Sequence, residues 1–186
     1  MTTNSNISYK KVTEDKELNA ILDLQKSNHY SNLTIDEQQA NGFLTVQHSF
    51  KLLKEMNAAC SHIIAMSNGE IAGYALCMLP SFKDRITVLQ PMFDLLDTLL
   101  PEKDENIDDY VIMGQICISE KFRKKGIFRG LYQFMEEALK GSYKGLITEV
   151  DLKNKVSLGA HYAVGFTSLK QHRSNNQDWD LIWMHF

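Results

Sequence analysis

Tyr110-Val-Ile-Met-Gly-Gln-Ile-Cys-Ile118, then Arg123-Lys-Lys-Gly126, then Ile127-Phe-Arg-Gly-Leu-Tyr-Gln-Phe-Met-Glu-Glu-Ala-Leu139 is the stretch on which the fold of this chain turns. The first segment is rich in β-branched residues and does not alternate, which suits a strand covered on both faces. In the third, Ile127, Phe128, Leu131, Tyr132, Phe134, Met135, Ala138 and Leu139 recur at the spacing of one apolar helix face. A buried strand, a basic turn and a helix packed on a sheet are therefore joined end to end.

The turn raises a question of charge. Lys124, Lys125 and Arg129 sit at or inside the first turn of the helix. Aligned peptide dipoles make cations there unfavourable, by roughly 0.3 to 1 kcal/mol each. A bound anion reverses that sign, because free N–H groups, dipole and cations then act together. Gly126 removes a side chain where backbone and anion would meet. The turn reads as a phosphate cradle, against the alternative of a solvated basic helix start. Neither Gly-x-x-x-x-Gly-Lys-Ser/Thr nor Gly-x-Gly-x-x-Gly is present, so neither a P-loop nor a dinucleotide fold is indicated.

Arg123, Gly126 and Phe128 fall on the pattern Gln or Arg, two residues, Gly, one residue, Gly or Ala. This resembles the acyl-CoA-binding segment of the GNAT N-acetyltransferases, with Phe128 departing from the last position. Downstream, Asn154-Lys-Val-Ser157-Leu-Gly-Ala-His161-Tyr162-Ala-Val-Gly165-Phe166 is similar to the later segment of that family in order and spacing. The two segments cover the C-terminal two fifths of the chain.

Composition agrees. A chain of 186 residues is most simply one domain, 1–186, able to bury roughly 70% of its unfolded surface. A net charge of −3 argues against nucleic acid as the main partner. Cys60, Cys77 and Cys117 lie in apolar runs and read as reduced core residues of a cytoplasmic protein, with no metal-site spacing. No apolar run reaches membrane-span length, and the polar start Met1–Asn6 does not have the character of a signal peptide.

Taken in order, the sequence predicts a strand over 7–12, a helix over 15–26 and a second helix capped by the Thr34–Glu37 pair and stopped at Gly42. Residues 43–48 are ambiguous and 49–58 helical. Strands over 60–67 and 70–79 are joined by Asn68-Gly69, a hairpin signal. A helix opens at Pro91 in an insertion, 80–109, that either covers an acceptor site or extends the core. The acidic run Glu102–Asp109 is either an attractor for an amine or a solvated loop. Later come a strand over 146–151, a short helix over 154–163 and strands over 166–172 and 178–185. The strands ending near Ile118 and Asp151 are parallel, since a helix joins them. The resemblance implies an α/β fold, a GNAT-like three-layer α/β/α sandwich with a mixed, splayed central sheet.

By the same resemblance, acetyl-CoA is the cofactor and a primary amine, on a small molecule or a peptide, is the acceptor, attacking the thioester directly. The pantetheine arm would lie in the splay against the backbones of Ile116, Cys117 and Ile118, with Gly114 either the bulge that starts the splay or a close-packing point. The pyrophosphate would sit on Arg123, Lys124, Lys125, Gly126, Ile127, Phe128 and Arg129. Asn154, Ser157 and His161 would contact the cofactor. Freeing an alkylamine of its proton at neutral pH costs about 4 to 5 kcal/mol, so a base is useful. Glu149 is the first candidate and Asp151 the second; Gln115 is uncharged and can only orient groups. His161, where the family commonly has Tyr, and its neighbour Tyr162 are candidates for the acid that protonates the leaving thiolate. His29, Tyr30, Phe43 and His48 are candidates for the acceptor pocket, beside a packing role. The family commonly dimerises, which admits a homodimer here. The alternative function is a catalytically silent acyl-CoA-binding sensor.

Overall fold

The computed structural model describes residues 6–186, so the polar start Met1–Asn6 lies, apart from Asn6, outside the described residues. Seven strands form one sheet in the order β1-β2-β3-β4-β5-β7-β6. They are β1 (Ile7–Lys11), β2 (Ile63–Ser67), β3 (Glu70–Met78), β4 (Tyr110–Ile118), β5 (Gly145–Asp151), β6 (Thr167–Ser174) and β7 (Gln177–His185). All neighbours are antiparallel except β4 and β5, which run parallel because the helix between them carries the chain back.

Among the described residues, six α-helices cover the sheet: α1 (Asp15–Asn28), α2 (Ile35–Asn41), α3 (Phe50–Ala59), α4 (Gln90–Leu99), α5 (Ile127–Leu139) and α6 (Lys155–Ala163). Ile127, Leu131, Tyr132, Met135 and Leu139 turn the buried face of α5 onto Ala65, Ala75, Val111 and Leu146. On the other face α1, α3 and α4 bury Leu18, Ile21, Leu53, Met56, Phe93 and Leu96. The result is the expected three layers with a mixed sheet.

Local chemistry sets the boundaries. Thr34 and Glu37 form the reciprocal capping box, and Gly42 ends α2 at φ +74°. Asn68 and Gly69 take the positive φ values that a two-residue hairpin requires. Strand β2 starts at Ile63 and not at Cys60, because the Cys60 N–H still donates to the Met56 carbonyl and closes α3. The ambiguous stretch 43–48 is loop. Its backbone is held by other elements: Leu44 N–H donates to Asn28 O, and Tyr30 N–H donates to Leu44 O.

The feature that makes a site is the failure of β4 and β5 to stay paired. Only Tyr110–Ile112 meet Gly145–Ile147; beyond that the strands part. The split begins where the β3–β4 register passes from Cys77↔Met113 to Leu76↔Gln115, skipping Gly114. Gly114 is thus the bulge residue. The extra residue inverts the alternation, placing Ile112 and Gln115 on the same side of the sheet.

Candidate functional site

The opening between the parted strands leads to two adjoining cavities that share Phe43, Leu44, Ile116, Asn154 and Ser157 in their walls. One, of about 320 Å³, reaches the start of α5. The other, of about 120 Å³, lies over Glu149 on the α4 side.

Which β4 groups face the opening follows from the bulge. A Cβ placed on Gly73 would lie 2.9 Å from the Cys117 carbonyl oxygen, and Ser119 N–H donates to Ala72 O at 2.9 Å. The Cys117 backbone therefore points at β3, while Ile116 and Ile118, one residue out of phase, turn theirs to the gap. The expectation that all three backbones serve the gap is corrected for Cys117, whose buried thiol is pushed up to about 12 by desolvation.

At the turn, Lys124 and Gly126 adopt φ +61° and +78°. Helix α5 has no side-chain cap, and the described hydrogen bonds leave the N–H groups of residues 124–129 without an acceptor. A Cβ on Gly126 would meet nothing within 4 Å, so the space in front of these donors is open. Arg123, Lys124, Gly126, Ile127 and Phe128 border the larger cavity. Phe128 sets its ring edge-on to Tyr132 and His161, which resolves its departure from the family pattern: the ring packs inward while its N–H belongs to the turn.

Three cations behave differently from expectation. Arg123 Nη2 donates to Asn28 Oδ1 at 2.7 Å and its Nε to Ile118 O at 3.4 Å, so its head ties α1 to the end of β4. Arg129 Nη2 donates to Ala163 O at 2.8 Å, capping the carbonyl end of α6. Lys125 lies 5.1 Å over the Phe122 ring, outside the cavity walls. Lys124 and Arg123 are the turn cations that border the cavity, Arg123 with its head already bonded.

Helix α6 supplies the opposite wall. Asn154 caps it, accepting from Ser157 N–H at 3.2 Å, and its Nδ2 donates to Phe43 O at 3.3 Å. His161 is 1% exposed and boxed by Phe128, Tyr132 and Phe166. Its Nδ1 lies 2.7 Å from the Ser157 carbonyl, which can only accept, so Nδ1 carries the proton and the partnerless Nε2 is a bare acceptor. Desolvation holds its pKa at about 4. A neutral imidazole in this tautomer is not the histidinium acid the sequence suggested. Tyr162 borders neither cavity; its hydroxyl donates to the buried Asp180 of β7, and that bond pushes its pKa up to about 12.

Glu149 does border the smaller cavity. Its Oε2 lies 3.0 Å from His172 Nε2 on β6, and desolvation raises its pKa to about 7. Burial lowers that of His172. The two form a hydrogen-bonded carboxyl–imidazole pair in which burial disfavours the charged form of each. Asp151, on the same face, is already engaged: Oδ1 accepts from Lys153 N–H at 2.8 Å and Oδ2 from Gln177 Nε2 at 3.1 Å.

Of the acceptor-pocket candidates, Phe43 alone borders the cavities. His29 bonds Ser31 in a surface turn beside Tyr30, which is half exposed, and His48 is buried against Gln25. The sequence did not point to His172 or Trp179, or to the bond from Gln115 Nε2 to Val46 O at 2.8 Å that pins the cavity's loop. Val88, Leu89 and Met92 bring the 80–109 insertion to the cavity while Phe93 and Leu96 sink into the core, so the insertion covers the site and extends the core. The acidic run does not border the site; Glu105 and Asp109 pair with Lys144.

No curated protein sequence matches the chain. Among solved structures it is similar to the ribosomal-protein-S18-alanine N-acetyltransferase of Escherichia coli, at 13% identity over 97% of this chain and 94% of that one, with a TM-score of 0.64. It is similar to the NatC complex bound to Gag peptide and CoA, at 14% identity, 97% and 99% coverage and a TM-score of 0.65. A chimera of the Vibrio cholerae spermidine N-acetyltransferase matches at 14% identity, 97% and 96% coverage and a TM-score of 0.59. At these identities the likeness shows a shared fold. The family model of the Acetyltransferase (GNAT) family matches residues 18–166, most of the chain, and the chain accordingly belongs to the GNAT family and is an acetyltransferase.

Proposed function

We propose that this acetyltransferase uses acetyl-CoA to acetylate a primary amine, with Glu149 as the base and the residues 1–186 acting as one catalytic domain. The observation that carries the reading is the parted β4–β5 pair, which connects a donor-rich turn at one end to a buried, proton-labile carboxyl at the other. The residues fit the cofactor: the unbonded N–H groups of 124–129 and Lys124 suit a pyrophosphate, and the gap-facing backbones of Ile116 and Ile118 suit the amides of a pantetheine arm. Asn154 and Ser157 at the start of α6, in the walls of both cavities, would flank that arm.

Acetyl-CoA, when bound, supplies an activated acetyl thioester. The chain's part is to orient and to move a proton. A gap-facing N–H of β4 is a preorganised donor toward a carbonyl oxygen, of the kind typically worth about 3 kcal/mol of barrier. Glu149 accepts the proton of the entering amine; a carboxyl titrating near 7 combines a useful ionised fraction with adequate basicity. His172, whose side chain is 14% exposed against 9% for Glu149, lies on the outward side of that carboxyl and passes the proton toward solvent. His161, neutral and boxed by Phe128, Tyr132 and Phe166, fixes the wall of the cavity. No tyrosine borders the smaller cavity among the described residues, so the proton that a departing thiol would need would come from water or from the Glu149–His172 pair.

No described helix is long and apolar enough to cross a membrane. The three cysteines are free, which supports a reducing, cytoplasmic setting. Calorimetric titration with acetyl-CoA, followed by thiol release across a panel of amines, tests the reading. Binding with amine-dependent release supports it; binding with no release from any amine would return the chain to the sensor alternative.

A further inference from the structure

We infer that Tyr74, which borders neither cavity, is a positioning residue for acetyl transfer: its hydroxyl fixes Gln115, and Gln115 fixes the Val46 wall of the Glu149 cavity. This role rests on the transferase reading and adds to it what holds the acceptor side in shape.

The strand register brings the two side chains together. Strands β3 and β4 pair Tyr74 with Cys117 and Leu76 with Gln115, so Tyr74 and Gln115 are diagonal neighbours on one face of the sheet. Tyr74 is fully buried and Gln115 nearly so. The Tyr74 hydroxyl donates to Gln115 Oε1 at 2.6 Å, and Gln115 Nε2 donates to Val46 O at 2.8 Å. These directions are forced. A backbone carbonyl can only accept, so the amide turns its NH2 to Val46 and its oxygen to Tyr74, and the hydroxyl must then donate. Burial pushes the Tyr74 hydroxyl well above its ordinary pKa, so the donor keeps its proton.

The loop depends on this chain of bonds. Leu44 is tied to Asn28 and Tyr30, and His48 N–H donates to Gln25 Oε1 at 3.1 Å. Between those two anchors, the bond to Val46 O is the one tie on the loop among the described hydrogen bonds. Without the Tyr74 hydroxyl, Gln115 Oε1 would be left buried with no donor. The amide would then turn to the open cavity and release Val46. Thr45, Val46 and Gln115 border the smaller cavity and not the larger, so the effect falls on the acceptor side and spares the cofactor side.

Tyr74→Phe removes one hydroxyl and keeps the ring in the core. Backbone nitrogen-15 relaxation reads the loop without any acceptor. The order parameters of Thr45, Val46 and Gln47 should fall from about 0.85, the rigid value, to below about 0.6 in the variant. They should not move in Tyr162→Phe, which loses a hydroxyl bond elsewhere in the fold. Unmoved values in Tyr74→Phe overturn the inference. Calorimetry should find acetyl-CoA affinity within about twofold of the parent, while KM rises about fivefold or more for whichever of spermidine, 2-phenylethylamine and trialanine releases thiol, with kcat changing less. An unmoved KM, or acetyl-CoA affinity falling by the same factor, overturns the positioning role. Gln115→Met should raise KM by a similar factor and the double variant no further; additive effects would mean that Tyr74 does not act through Gln115, which also overturns it. Loosened order parameters with no thiol release from any amine uphold the Tyr74–Gln115–Val46 tie and remove the transferase reading instead.

Discussion

Glu149 and Tyr162 were both candidates for proton chemistry, and their surroundings separate them. Glu149 titrates near 7 because it is buried at a cavity, and a base must be ionised to act. Its activity limb therefore falls as pH drops below about 7 and levels off above it. Glu149→Gln keeps the size and removes the base; kcat/KM should fall by about a hundredfold or more with acetyl-CoA affinity unchanged, and an unchanged pH limb in a pH–rate profile would assign the limb elsewhere. Tyr162 serves Asp180, which is fully buried and also accepts from Ser168 Oγ at 2.6 Å. Tyr162→Phe removes one donor from that carboxylate and should cost about 1 to 3 kcal/mol of stability in a denaturant titration, while kcat stays within a few-fold. A loss of kcat by orders of magnitude would return Tyr162 to the reaction. Glu149 could be found in the sequence because a carboxylate in an apolar strand is conspicuous. His172 could not, because the pair forms only when β6 is laid beyond β7, 23 residues on, and a polar edge strand gives no signal of what lies beneath it.

Elements were more legible than contacts, because caps and turns are local. Thr34–Glu37, Asn68-Gly69 and the 110–118 run each behave as their residue types dictate. What local reasoning misjudged was where long cations go. Arg123 and Arg129 look like phosphate ligands in sequence, but each finds a carbonyl or amide of another helix, α1 and α6 respectively, that no spacing rule reveals. On the proposed reading, anion binding at the α5 start rests on its N–H groups and Lys124, with Arg123 beside them at the cavity. Gly126 tests this at the scale of the element. Its φ of +78° makes any side chain strained, by about 1 to 2 kcal/mol, so Gly126→Ala reports the strain alone. Gly126→Glu adds a negative charge in the open space before the donors and should abolish acetyl-CoA binding by calorimetry, while its melting temperature matches that of Gly126→Ala. Equal affinity in the two variants would remove the turn from the binding site.

At the scale of the whole molecule, the split sheet is covered by helices and loops that bury polar groups against it. The bulge at Gly114 opens β4 from β5, and the loops and helices packed on the sheet carry histidines into the interior. His48, His62 and His161 are all buried, and desolvation holds each at about 4. A group with a depressed pKa lends stability above its unfolded value, about 6.5, and loses it as pH falls toward its folded value. Between pH 7 and pH 5 each of the three forfeits about 2 kcal/mol, since the unfolded chain takes up the proton and the folded one does not. Glu149 moves the other way. Its raised pKa costs stability near neutrality, and about 2 kcal/mol returns by pH 5. The sum is a net loss of about 4 kcal/mol, a large share of the 5 to 15 kcal/mol typical of a folded domain. The protein should therefore lose much of its stability by pH 5, before most carboxylates have been protonated. Urea titrations followed by far-ultraviolet circular dichroism at pH 7 and pH 5 would measure this directly; a midpoint that does not fall would mean that the interior admits charged histidines, and that the closed walls around the gap open more readily than their packing indicates.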